Sequence, residues 1–127
     1  MKEKAIVVTA DNRAFIRDIE VIDGSMLNDL WAIVDGYIEI VRPTGLEEPL
    51  CLVCDEEGLL KGKALNVFAS LVYGVLDHGN PIVGDVVILH EGFRDGEPDL
   101  VGIPDDSVDG LYNRILAGYS FLRGEDA

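Results

Sequence analysis

The chain has 127 residues and a formal charge of −14, from 24 acidic and 10 basic side chains. A field of that sign repels nucleic acid and anionic lipid and attracts cations or basic proteins. With 48% hydrophobic residues the chain has ample apolar surface to bury, which excludes disorder. Its length suits one domain, residues 1–127, that needs no metal or disulfide staple.

In chain order, Lys4 to Thr9 reads as a buried-type strand rich in β-branched residues. Its apolar run, Ala5 to Val8, stops at Thr9 and Asp11, far short of a signal-peptide core or a membrane span. The expectation is a soluble, cytoplasmic chain with no membrane partner. Asp11-Asn12 supplies a turn, and Arg13 to Val21 returns as a half-exposed strand paired in a hairpin. After Asp23-Gly24, Ser25 is placed to cap a helix from Met26 to about Val34. Its Leu27, Leu30, Trp31 and Val34 form one apolar face, and Gly36 is placed to end it.

Tyr37 to Val41 and Leu50 to Cys54 read as strands, separated by Arg42-Pro43-Thr44-Gly45. Asp55-Glu56-Glu57-Gly58 is a turn leading into Leu59 to Lys63. Asn66 is placed to cap a helical segment carrying Phe68, Leu71, Val72 and Val75, although that composition also suits a strand. Val86 to Leu89 is another buried-type strand, and polar, glycine-containing Glu91 to Asp99 reads as a loop. Pro104-Asp105-Asp106-Ser107 opens a helix with the stripe Val108, Leu111, Tyr112, Ile115, Leu116 and Tyr119, its acids at the positive end.

These elements imply an α+β fold: a mainly antiparallel or mixed sheet of about five to six strands with about three packed helices. The expected core is Ile6, Val8, Phe15, Ile19, Leu27, Leu30, Trp31, Val34, Ile38, Ile40, Leu52, Phe68, Leu71, Val72, Val86, Ile88, Leu111, Ile115 and Leu116.

Three blocks in order carry a resemblance: Gly36-Tyr37-Ile38-Glu39-Ile40-Val41; Cys54-Asp55-Glu56-Glu57-Gly58 with Gly62 and Leu65-Asn66; and Ile82-Val83-Gly84-Asp85-Val86-Val87. From about Lys4 to Ile103 the chain resembles the domain-of-unknown-function family 3846, short bacterial and phage proteins often met among mobile-element genes. The resemblance implies no catalytic residues. The cysteines and the acidic stretch from Glu91 do not belong to its pattern.

The chemical vocabulary is sparse. Cys51 and Cys54 lie three apart on a strand and so point to opposite faces, which suits buried free thiols rather than a zinc or redox pair. His78 and His90 lack a metal-binding partner at the right spacing. Neither Asp55-Glu56-Glu57-Gly58 nor Asp95-Gly96-Glu97-Pro98-Asp99 follows the calcium-loop pattern. No serine sits in a nucleophile elbow. Accordingly no cofactor or metal is expected, and the balance leans away from an enzyme.

Asp55, Asn66 and Asp85 are turn and cap residues first. The alternative is that they gather at one end of the sheet as a polar site of a small ligand-binding or enzymatic domain. From Asp18 to Glu57 eleven acids face one base, Arg42, while Lys2 to Arg17 carries four bases and two acids. Asp23, Asp29, Asp35, Glu47 and Glu48 are expected to be solvated. Such a surface either keeps the protein soluble or engages a basic protein, nucleic-acid mimicry being the sharper version; direct nucleic-acid binding is disfavoured. The favoured reading is a non-enzymatic binding module.

Overall fold

Ten elements run β1 (Lys2–Val8), β2 (Ala14–Glu20), α1 (Leu27–Val34), β3 (Ile38–Val41), β4 (Leu50–Asp55), α2 (Val67–Tyr73), α3 (Val75–His78), β5 (Val86–Arg94), β6 (Glu97–Val101) and α4 (Asp105–Leu122). They come from a computed structural model, which describes residues 1–122 and Gly124. The fold is α+β. Six strands form a single sheet in which β2, β1, β5, β4 and β3 are neighbours in that order, and β6 pairs with β5. Every pairing is antiparallel.

Helices cover both faces. Ile6, Val8, Leu52, Cys54, Val86 and Ile88 point to the face under α2 and α4, where they meet Phe68, Val108, Leu111, Ile115 and Tyr119. The alternate residues Ala5, Val7, Cys51, Val53, Val87 and Leu89 point to the face under α1, against Leu30 and Val34. This is why the central strands read as continuous apolar runs: neither pleat face is wet.

Of the expected core, Ile6, Val8, Ile19, Leu30, Val34, Leu52, Phe68, Val86, Ile88, Leu111 and Ile115 are buried. Phe15, Leu27, Trp31, Ile40, Leu71 and Leu116 are exposed, and Ile38 and Val72 are only partly covered. Phe15 and Ile40 lie on the edge strands β2 and β3, and the errors on the helices share a cause, clearest in α1. Helical spacing marks a broad apolar stripe, but α1 spans eight residues, about 12 Å by the helical rise. Its centre line, Leu30 and Val34, takes the core position. Leu27 and Trp31 flank it toward the edge strand β3, so Trp31 is 38% exposed instead of buried.

Local chemistry explains most boundaries. Ser25 Oγ accepts from Leu27 N, although Met26 occupies the cap position. Asp35, not Gly36, takes the left-handed conformation that ends α1. Asn66 caps α2 as expected, its side chain accepting from Ala69 N. Leu59 to Lys63 is turn structure. The expected loop from Glu91 to Asp99 is instead a hairpin: β5 runs on to Arg94, which pairs with Glu97. Asp95 and Gly96 between them both take positive φ, as a two-residue hairpin turn of the favoured hand requires.

Candidate functional site

Asp55 ends β4 with its carboxylate buried. Lys61 and Lys63 reach Oδ2 at 2.8 and 2.7 Å, and Glu57 N donates to Oδ1. Burial alone would raise its pKa, but these hydrogen bonds outweigh burial and hold it at about 2. Gly36 belongs to this cluster: a Cβ there would stand 2.6 Å from both Asp55 Oδ1 and Lys61 Nζ. Sequence reasoning passed over both lysines, although Lys61 and Lys63 follow an acidic turn at two-residue spacing, a signal for convergence on one carboxylate.

Asn66 is fully buried. Its amide donates to Val8 O and Gly84 O while its oxygen caps α2. Asp85 accepts from Ala10 N, at the turn joining β1 and β2. Asp55 and Asp85 stand at the same end of the sheet, two residues beyond the paired Val53 and Val87. Among the described residues, however, no bond joins Asp55, Asn66 and Asp85. A cleft of about 240 Å³ beside Asp55 is lined by neither of the other two. What the structure assigns to all three is the work of tying turns, a strand end and a helix start together.

The five expected surface acids do not share one face. Asp23, in the left-handed turn before α1, and Asp35, at its end, are exposed on the α1 side. Asp29 is half-buried, pairing with Arg17 and accepting from Glu20 N; the expectation that it is freely solvated is corrected. Glu47 and Glu48 are exposed in the β3–β4 connection, where Glu47 meets Arg114 of α4 at 3.2 Å. They belong to the opposite layer.

The most open chemistry lies along β3, the edge strand beside α1. Trp31 and Tyr37 meet edge to face with centroids 5.9 Å apart, and Tyr37 and Ile40 are 62% and 42% exposed. A groove of about 400 Å³ runs between α1, β3 and the β5–β6 hairpin, lined by Leu27, Leu30, Ile38, Ile40, Pro98 and Leu100 among others. Two acids in its wall are matched: Glu91 holds Arg42 in a two-pronged pair, and Asp99 pairs with Arg94. Glu57 is exposed beside Trp31 and Tyr37, while Glu39 and Glu56 are exposed along the cleft on the other face of β3. None of these three forms an ion pair among the described residues.

Cys51 and Cys54 are free and buried, on opposite faces of the sheet as the strand spacing requires. Burial pushes both thiols up to about 12. Burial likewise lowers the pKa of His90. Among the described residues no group of three or more His, Cys, Asp or Glu side chains could hold a metal ion. No helix there is long and apolar enough to cross a membrane.

A solved structure, that of the small RNA methyltransferase HEN1, is similar to 93% of this chain with a TM-score of 0.61 and 16% identity. The likeness shows a shared fold alone, and it spans only 16% of the HEN1 chain. No curated protein matches the sequence. The model of the domain-of-unknown-function family DUF3846 matches residues 1–116, the α4 stripe included as far as Leu116, and this chain belongs to that family.

Proposed function

We propose that the protein is a non-enzymatic binding module that engages a basic protein through the surface formed by α1 and β3. One observation carries the reading: Leu27, Trp31, Tyr37 and Ile40 are exposed together at a sheet edge, with the carboxylate of Glu57 beside the two rings and that of Glu39 on the opposite face of the same strand. Large aromatic and aliphatic side chains held at the surface are what protein interfaces use as anchors. Exposed carboxylates along such an edge favour and steer a partner of the opposite charge. Asp55, Asn66 and Asp85, by contrast, are occupied with structural hydrogen bonds, so they add nothing to an enzymatic reading. The mobile-element setting implied by the resemblance supports an accessory role, exercised by binding another protein.

The test is affinity capture from cells of the natural source, comparing the wild type with Trp31→Asp. The reading expects a basic protein retained by the wild type, released as salt rises, and lost with the variant. Equal capture by both, or the same protein retained at high salt, contradicts it.

A further inference from the structure

The two edges of the sheet are finished differently. On β2 the inward backbone groups belong to odd-numbered residues, because Arg13 O receives Thr9 N and Val21 N reaches Met1 O. The even-numbered groups face outward, and both ends of that row are taken by side chains. Tyr112 Oη donates to Ala14 O, and Glu20 N donates to the Asp29 carboxylate.

On β3, Glu56 N donates to Tyr37 O, and Ile38, Glu39, Ile40 and Val41 pair in register with Asp55, Cys54, Val53 and Leu52. Antiparallel alternation then turns Glu39 and Val41 inward, and Ile38 and Ile40 outward. Their N–H and C=O groups meet nothing among the described residues. The same two residues line the apolar groove with their side chains. Glu39, of opposite pleat, presents its carboxylate on the other face.

We infer that β3 is a strand-addition site for a basic, extended segment of another protein, with apolar residues at alternate positions. The inference rests on the protein-binding reading and names its mode. Residues hydrogen-bonded to Ile38 and Ile40 put their side chains on the same face as those isoleucines, at the outer rim of the groove; the residues between them face Glu39. One alternating sequence thus satisfies the backbone, the groove and the carboxylate together. A second copy of this chain is the wrong occupant. Pairing Ile38 with Ile40 of another copy sets Glu39 directly opposite Glu39, and like charges so placed repel, on top of two chains each carrying a formal −14.

The probe is a fluorescent heptapeptide alternating lysine and valine, titrated by anisotropy at low salt. Three controls accompany it: the same peptide N-methylated on its valines, an alternating glutamate–valine peptide, and the Ile40→Pro variant. Proline at Ile40 removes an outward N–H and no bond of the sheet. The inference expects binding by the wild type, no binding of the glutamate peptide, and weakening of at least about tenfold by either N-methylation or Ile40→Pro. N-methylation is tested on the wild type, so it decides even if Ile40→Pro does not fold. Equal binding of the N-methylated peptide, no binding of the parent peptide, or concentration-dependent dimerisation through β3 overturns it. Affinity capture that survives Ile40→Pro but not Trp31→Asp would leave protein binding standing and remove strand addition.

Discussion

Lys63 Nζ lies 2.7 Å from Asp55 Oδ2, and that carboxylate is almost completely buried. The lysine stem passes over Gly84, where a Cβ would stand 3.0 Å from Lys63 Cδ. Gly84 also takes a positive φ, so the turn before β5 and the end of β4 are locked by one long side chain. The ammonium continues to Val34 O and Asp35 O, which joins the end of α1 to the same point. The end of the sheet beside the candidate binding edge is therefore held rigid by a polar cluster.

Asp55→Asn is expected to cost about 2 kcal/mol at neutral pH, the scale of hydrogen bonds to a charged group. The folded carboxylate has its pKa lowered from 3.8 to about 2. Its contribution is therefore full above the ordinary carboxylate range and is lost as pH falls toward 2. Urea unfolding of wild type and variant at several pH values should show their difference shrinking below pH ~4. A difference that stays constant down to pH ~2, on the same linkage argument, would show that the ion cluster is not its source.

Asn66→Ala removes a helix cap and two donors to buried carbonyls, and should cost about 2–4 kcal/mol. Asn66→Asp separates the two roles. It keeps the acceptor for Ala69 N but faces Val8 O and Gly84 O with a second acceptor. It should destabilise at pH 7 about as much as alanine does. If aspartate proves nearly neutral in equilibrium unfolding, the cap alone carries the position.

Trp31→Ala should cost only about 1–2 kcal/mol, because the ring is partly exposed and its main partner is Tyr37. The loss should instead be felt in binding. Urea unfolding showing more than about 3 kcal/mol, the range of a truly buried aromatic, would place Trp31 in the core after all.

Both thiols should resist a disulfide reagent at pH 8 in the native protein and react at once in denaturant, since burial holds each well above the ordinary thiol range, at about 12. Reaction of either cysteine at the unfolded rate under native conditions would contradict their placement in the two cores.

Sequence pattern reached the elements more surely than the surfaces. Apolar runs marked β1, β4 and β5 because the centres of those strands are buried on both faces. Asn66 was legible as a cap because an Asx residue before an apolar helical run has one common use. The β5–β6 hairpin was missed because Gly92 and the charges at Glu91, Arg94 and Asp95 resemble a loop, though Asp95-Gly96 is a strong hairpin signal. The candidate surface was invisible for a different reason. Periodicity records which residues share a face of α1 but not how much of that face the sheet covers. So Trp31 and Leu27 read as core, and Glu39 was only one acid among many. Which backbone groups of β3 stay unpaired depends on strand order, and no local pattern encodes that.

The most direct measurement of the central claim is amide hydrogen exchange at single residues of β3, with and without the lysine–valine peptide. In the free protein the amides of Ile38 and Ile40 should exchange faster than those of Glu39 and Val41, which point into the ladder with β4. On adding the peptide, Ile38 and Ile40 should slow by at least about tenfold, as expected for newly formed backbone bonds, while Glu39 and Val41 change little. Raising the salt should reverse the effect by releasing the peptide. Ile38 and Ile40 already protected in the dilute free protein, or unchanged while the peptide is bound, would contradict an open edge that accepts a basic strand.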